Sequence, residues 1–131
     1  MTEKAVMDAL VQMKRTGNLL NELEDLTQQL GQSIDRNDQV STEMLIAMRE
    51  EPLAKLQASD KALREQLEAL GDPDEAAALA ALLNGAAAEQ GERTQQMLQE
   101  QVAANRRRLK QIMERDRLLS QRLGRGKSAY Q

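Results

Sequence analysis

Between Leu98 and Leu123 the chain places Leu98, Val102, Leu109, Ile112, Leu119 and Leu123 at alternating steps of four and three, with Asn105 and Asp116 at the two remaining positions of the series. That is the rhythm of a helix packed lengthwise along other helices. A seam of this length needs neighbouring helices of similar length to cover it. The spacing therefore narrows the fold to an elongated helical bundle.

The composition agrees with a narrow core. Tyr130 is the only aromatic residue, so the interior has to be assembled from Leu, Ile, Val, Met and Ala. The chain has no Cys, which removes any disulfide framework, and no His, which together with the missing Cys removes the commonest zinc ligands and nucleophiles. No window approaches the roughly 20 apolar residues that span a bilayer. The N-terminus lacks the basic and apolar blocks of a secretory signal. A cytoplasmic protein is expected.

Ahead of the seam, Val6, Leu10, Met13, Leu20, Leu23, Leu26, Leu30 and Ile34 recur at steps of three, four and seven. They predict a first helix from about Glu3 to about Ile34. Gly17 falls where the stripe expects a larger residue, marking a bend or the close approach of a neighbour, and Gly31 weakens the end. Arg36-Asn37-Asp38 breaks the pattern, and Asp38 or Ser41 can cap a second helix carrying Leu45, Met48, Leu53, Leu56, Leu63, Leu67 and Leu70. Pro52 lies within it. Its missing N–H predicts a short segment to about Glu51 and a longer one with Pro52 in the first turn, or else one kinked helix.

Gly71-Asp72-Pro73-Asp74-Glu75 reads as a stop and a start. Gly71 ends one helix in the left-handed conformation, Asp72 caps the next, Pro73 takes its first position and Glu75 reaches back to the cap. An Ala- and Leu-rich helix then runs from Pro73 to about Asn84. The last helix begins at about Ala86 or Glu92 and ends at Leu123, at a length of roughly 45 Å. The expected architecture is all-α: an elongated antiparallel three- to four-helix bundle, in the manner of a coiled-coil hairpin. Residues 1–123 form one helical domain, and residues 124–131 form a flexible basic tail.

Candidate chemistry is sparse. Gly126-Lys127-Ser128 resembles the end of a phosphate-binding loop, but Gln121 stands where that motif needs its first Gly, and a helix precedes it instead of a strand. Adjacent acidic pairs such as Glu24/Asp25 and Glu50/Glu51 diverge by about 100° on a helix and do not converge on a substrate. Asp72 and Asp74 serve a positive helix end. An enzyme is not expected, nor a cofactor or metal. Charge is the more informative feature: residues 1–104 carry 9 Lys and Arg against 19 Asp and Glu, whereas residues 105–131 carry 9 against 2. An acidic body thus ends in a basic helix.

Two stretches resemble a known family. Leu26-Thr27-Gln28-Gln29-Leu30 leads through Asn37-Asp38 into a Leu-rich helix with Lys and Glu between its leucines. Asn105-Arg106-Arg107-Arg108-Leu109 is followed by evenly spaced apolar residues and a small-residue tail with Tyr130. The chain in this respect resembles bacterial flagellar export chaperones of the FlgN type over about residues 10–130, with Pro52 and the Ala-rich segment 76–88 outside the pattern. The resemblance implies a small cytoplasmic chaperone that binds the C-terminal helices of hook-associated (hook–filament junction) proteins. Such a chaperone keeps them unpolymerised and delivers them to the flagellar type III export apparatus. The family's binding surface is its C-terminal helix, which corresponds to about Leu98 to Leu123.

On that helix the six aliphatic seam residues are expected to hold the bundle. The partner-binding set is the flank made by Met97, Arg108, Met113, Arg115, Leu118 and Arg122, where an amphipathic helix can lie in a groove. Asn105 and Asp116 either specify register or drift to a solvated edge. Two other classes of function compete. The seam can serve a structural coiled-coil subunit that homo-oligomerises. Alternatively the basic series from Arg106 to Lys127 can track a nucleic-acid backbone, although no stacking aromatic accompanies it and the acidic body opposes it.

Overall fold

The computed structural model describes the backbone of residues 1–129 and the side chains of residues 1–124. Among the described residues there are five helices and no strand: α1 (Glu3–Asp35), α2 (Gln39–Met48), α3 (Glu50–Glu68), α4 (Pro73–Leu83) and α5 (Arg93–Ala129). The all-α expectation holds. No helix among the described residues is long and apolar enough to cross a membrane.

Helix α1 starts where Thr2 caps it, the hydroxyl accepting the Ala5 N–H at 3.2 Å. It ends through Asn37, whose φ of 55° is one that Asn tolerates better than most side chains. Asp38 then caps α2, accepting the Ser41 N–H at 3.0 Å and the Ser41 hydroxyl at 2.6 Å. Those contacts, the hydroxyl first, hold the Asp38 carboxyl below its ordinary value.

α2 and α3 are interrupted at Arg49 alone, ahead of the expected boundary at Glu51. The Arg49 N–H still bonds the Leu45 carbonyl at 3.1 Å, and the Leu53 N–H bonds the Arg49 carbonyl at 3.2 Å. Pro52 sits in the first turn of α3 and offers no N–H to Met48, so the ladder loses one rung there. The expected left-handed Gly71 does not occur. Among the described glycines only Gly85 and Gly91 have positive φ. The N–H of Leu70 instead bonds the Leu67 carbonyl at 3.2 Å in a tightened last turn, and Leu70 packs against the core.

Asp72 caps α4 as expected, through the Asp74 N–H at 2.9 Å. Glu75, however, does not reach back to that cap. Its carboxylate accepts the N–H and the hydroxyl of Thr2, each at 3.0 Å, and ties the start of α4 to the start of α1. α5 continues to Ala129, past the Leu123 at which apolar periodicity ends; Tyr130 and Gln131, the end of the expected tail, lie outside the described residues.

The long elements run up, down and up. α1 ascends, α2 and α3 descend beside it, and α5 ascends again, parallel to α1. The register is visible in Thr94 beside Glu3, Asn105 beside Met13, Arg108 beside Glu24 and Arg122 beside Asp35. The short α4 ascends from the level of Thr2 to the level of Arg106, and residues 84–92 return the chain to the base. There Ala88 and Glu89 donate their N–H groups to the side chains of Gln99 and Gln95.

Three apolar clusters are stacked along α1. The first joins α1, α4 and α5 through Val6, Ala9, Leu10, Leu79, Leu82, Leu98 and Val102, with Leu63, Leu67 and Leu70 packed against it. The second contains Leu20, Leu23 and Ile112, with Leu56 beside them. The third contains Leu26, Leu30, Leu45 and Leu119. A polar layer separates the first two. Gln12 donates to Ser59 at 2.5 Å, Thr16 and Ser59 hydroxyls lie 2.8 Å apart, and Asn105 donates to the Met13 carbonyl at 2.9 Å.

Candidate partner-binding groove

α1 packs against both α5 and α3, and α4 fills the corner between them at the base of the bundle. α3 and α5 share no comparable interface of their own among the described residues. Once α4 stops at Leu83, an open groove therefore lies between them, with α1 as its floor. Its volume is about 510 Å³. Met13 and Leu20 line the floor, Leu56 and Leu63 one wall, and Val102 and Leu109 the other. It continues along the outer edge of α5 as a shallower trough of about 590 Å³ past Leu109, Lys110, Met113 and Arg117. The α4 end is closed by Leu83 and Asn84, where the Arg106 guanidinium rests over Gly85, so that a Cβ on that glycine would stand 2.9 Å from Arg106 Nη1.

This geometry corrects the seam at one residue. Leu98, Val102, Ile112 and Leu119 are buried and Leu123 is half-buried, but Leu109 is 43% exposed. A seam residue is covered only if a neighbouring helix receives it. At the level of Leu109 the helix that would do so, α4, has already ended. Leu109 thus belongs to the groove and not to the core.

The two polar seam positions are both engaged. Asn105 is buried, donating to Met13 and accepting from Gln101 Nε2 at 2.9 Å. Gly17 makes this possible: a Cβ there would stand 2.8 Å from Gln101 Nε2 and 2.9 Å from Asn105 Oδ1. The glycine marks a close approach between α1 and α5. Asp116 is not a free edge residue either. Nη2 of Arg49, at the α2–α3 junction, donates to both of its oxygens at 2.7 Å and fastens the junction to α5. The Arg49 Nε is buried without a partner among the described residues.

The six flank residues do not form one surface. Met97 is half-buried and packs against the first cluster, so it is not exposed for binding. Arg108 faces α1 and pairs with Glu24 at 3.2 Å, and Arg122 pairs with Asp35. Arg115, Leu118 and Arg122 border a separate depression over Gly31 and Asp35 on the α1 side. Met113, 63% exposed, lies on the other flank, with Leu109 and Lys110. Of the expected set, Met113 alone lies on the trough that continues the groove along α5.

The α3 wall of the groove and Leu109 were missed by reading α5 alone. The signal was present in the short α4, whose eleven residues cannot cover α5 over its length. A second apolar strip, Val40, Met44 and Met48 at 78%, 55% and 48% exposure, lies along α2. Among the described residues no group of three or more acidic side chains is arranged to hold a metal ion. Set against known family models, curated proteins and solved structures, the chain matches none.

Proposed function

We propose that the protein is a helical chaperone that holds an amphipathic helix of another protein in the α3–α5 groove. The specific form is the one implied by the resemblance: a cytoplasmic flagellar type III export chaperone for the C-terminal helices of hook–filament junction proteins. The observation that carries the binding reading is the exposure of Leu109 and Met113 beside an apolar groove that none of the five described helices fills. An amphipathic helix would bury its apolar side there, as helix-in-groove recognition requires. No nucleic-acid or catalytic role is needed to account for that surface.

The test is co-purification of full-length protein with C-terminal segments of hook–filament junction proteins, comparing the unaltered chain with the double variant Leu109→Glu, Met113→Glu. The Leu109 and Met113 side chains are exposed, so the variant should keep its helical circular dichroism. Retention of the segments by the unaltered chain and their loss from the variant supports the reading. Equal retention by both removes the groove as the binding surface. Failure of the unaltered chain to retain any of them removes the flagellar assignment.

A further inference from the structure

The groove continues the line of α4. At the base, four helices enclose the first cluster, α4 standing between α3 and α5; beyond Leu83 that fourth position is empty while α1, α3 and α5 run on. α5 borders the empty position at Arg106 and Leu109, and the trough on its own surface carries the same face on to Arg117, about 16 Å or three helical turns in all. Its charges are one-sided. The rim carboxylates of Asp60 and Glu114 already face arginines, Arg64 at 3.8 Å and Arg117 at 2.6 Å. Arg106 and Lys110 make no ion pair or hydrogen bond among the described residues, and their spacing of four puts them on the same edge of α5.

We infer that the occupant of the groove is an acidic amphipathic helix that takes the place of a fourth bundle helix beyond α4. Its apolar stripe lies on Leu56, Leu63, Leu109 and Met113, and carboxylates spaced one turn apart lie along Arg106 and Lys110. The inference rests on the binding function proposed above and adds the chemistry of the partner. Charge complementarity of this kind selects among helices that are equally apolar, and disfavours a basic one.

Fluorescence anisotropy of the full-length protein with labelled helical peptides of about 18 residues, or five turns, tests it. The peptides share Leu and Ile at the heptad a and d positions and carry Glu, Gln or Lys at e and g. The Glu peptide should bind tightest and the Lys peptide weakest, with the gap closing as salt is raised. The double variant Arg106→Glu, Lys110→Glu should weaken the Glu peptide by about tenfold and strengthen the Lys peptide. Leu109→Gln should weaken all three alike. Equal binding of the Glu and Gln peptides, unmoved by the charge reversal, overturns the acidic partner while leaving helix binding intact. Failure of all three to bind overturns both. A dimer in sedimentation velocity that Leu109→Gln dissociates assigns the groove to a second copy of the chain and also overturns the inference.

Discussion

The two ends of this bundle are built from the same kinds of residue yet do opposite things with them. At the base, α1, α3, α4 and α5 surround Leu10, Leu79 and Leu98, and seven apolar residues there are buried. Beyond α4, α1 and α5 meet first α3 and then α2 around two smaller clusters, Leu20, Leu23 and Ile112 and then Leu26, Leu30, Leu45 and Leu119, while Leu109, Met113 and Leu118 face outward from the same α5. The seam keeps one spacing along α5 from Leu98 to Leu123; the difference lies in the number of helices present to receive it. Where four helices meet, the seam is a core. Where three meet, part of the seam becomes a surface.

Truncation at the two ends should separate them most clearly. Leu98→Ala removes a side chain with no exposed surface and should cost about 2–5 kcal/mol in urea unfolding, as buried leucines do. Leu109→Ala, four-tenths exposed, should cost about 1 kcal/mol or less. Similar losses for both would mean that the groove is closed in solution.

The far end depends more on polar fastening. Asp116→Ala leaves Arg49, with 14% of its side chain exposed, without its counter-charge. Asp116 itself is 39% exposed, and solvent screening reduces the penalty from that of a fully buried pair to about 1–2 kcal/mol. A double-mutant cycle with Arg49→Ala measures the coupling, and a value near zero would detach the α2–α3 junction from α5. In the polar layer, Asn105→Ala should cost about 1 kcal/mol, through the lost bonds to Met13 and Gln101. Combining it with Gly17→Ala should then be less damaging than the sum of the two, because the Cβ no longer meets Asn105.

How much of this was legible beforehand follows the same division. The helices, the caps at Asp38 and Asp72, and the aliphatic residues of the base are written in local spacing, and local spacing is what a sequence displays. The turn at Gly71 was misread because Leu70 is drawn into the core, a tertiary demand that no local motif announces. Glu75 was assigned to its own cap because Thr2, seventy-three positions away, is invisible to a local reading. The groove was only half visible. Met113 stood out on α5, but Leu56 and Leu63 belong to a wall that exists only once α3 is laid against α1. Arg108, Arg115 and Arg122 share the basic composition of the groove edge and yet sit on the opposite flank.

The smallest expected effect is on pH. Hydrogen bonds from Ser41, first from its hydroxyl and then from its N–H, keep the folded-state pKa of Asp38 below the value of 3.8 it has when unrestrained. A lowered carboxyl pKa contributes stability that is complete above the unfolded value and is lost as pH falls through the folded one. Asp38→Asn should therefore flatten the dependence of the thermal midpoint on pH below about 4, and leave that at neutral pH nearly unchanged, because Asn also caps helices. An unchanged slope would show that Asp38 does not contribute to the acid limb.

Amide hydrogen exchange along α5, with and without the C-terminal segment of a hook–filament junction protein, tests the division of the helix most directly. In the free protein, exchange should be slowest from Leu98 to Asn105 and faster beyond Leu109. Adding the segment should slow exchange between Arg106 and Arg117 and on the α3 wall around Leu56 and Leu63, and leave the base unchanged. Uniform protection along free α5, or new protection confined to α2, would contradict a closed base and an open, binding far end.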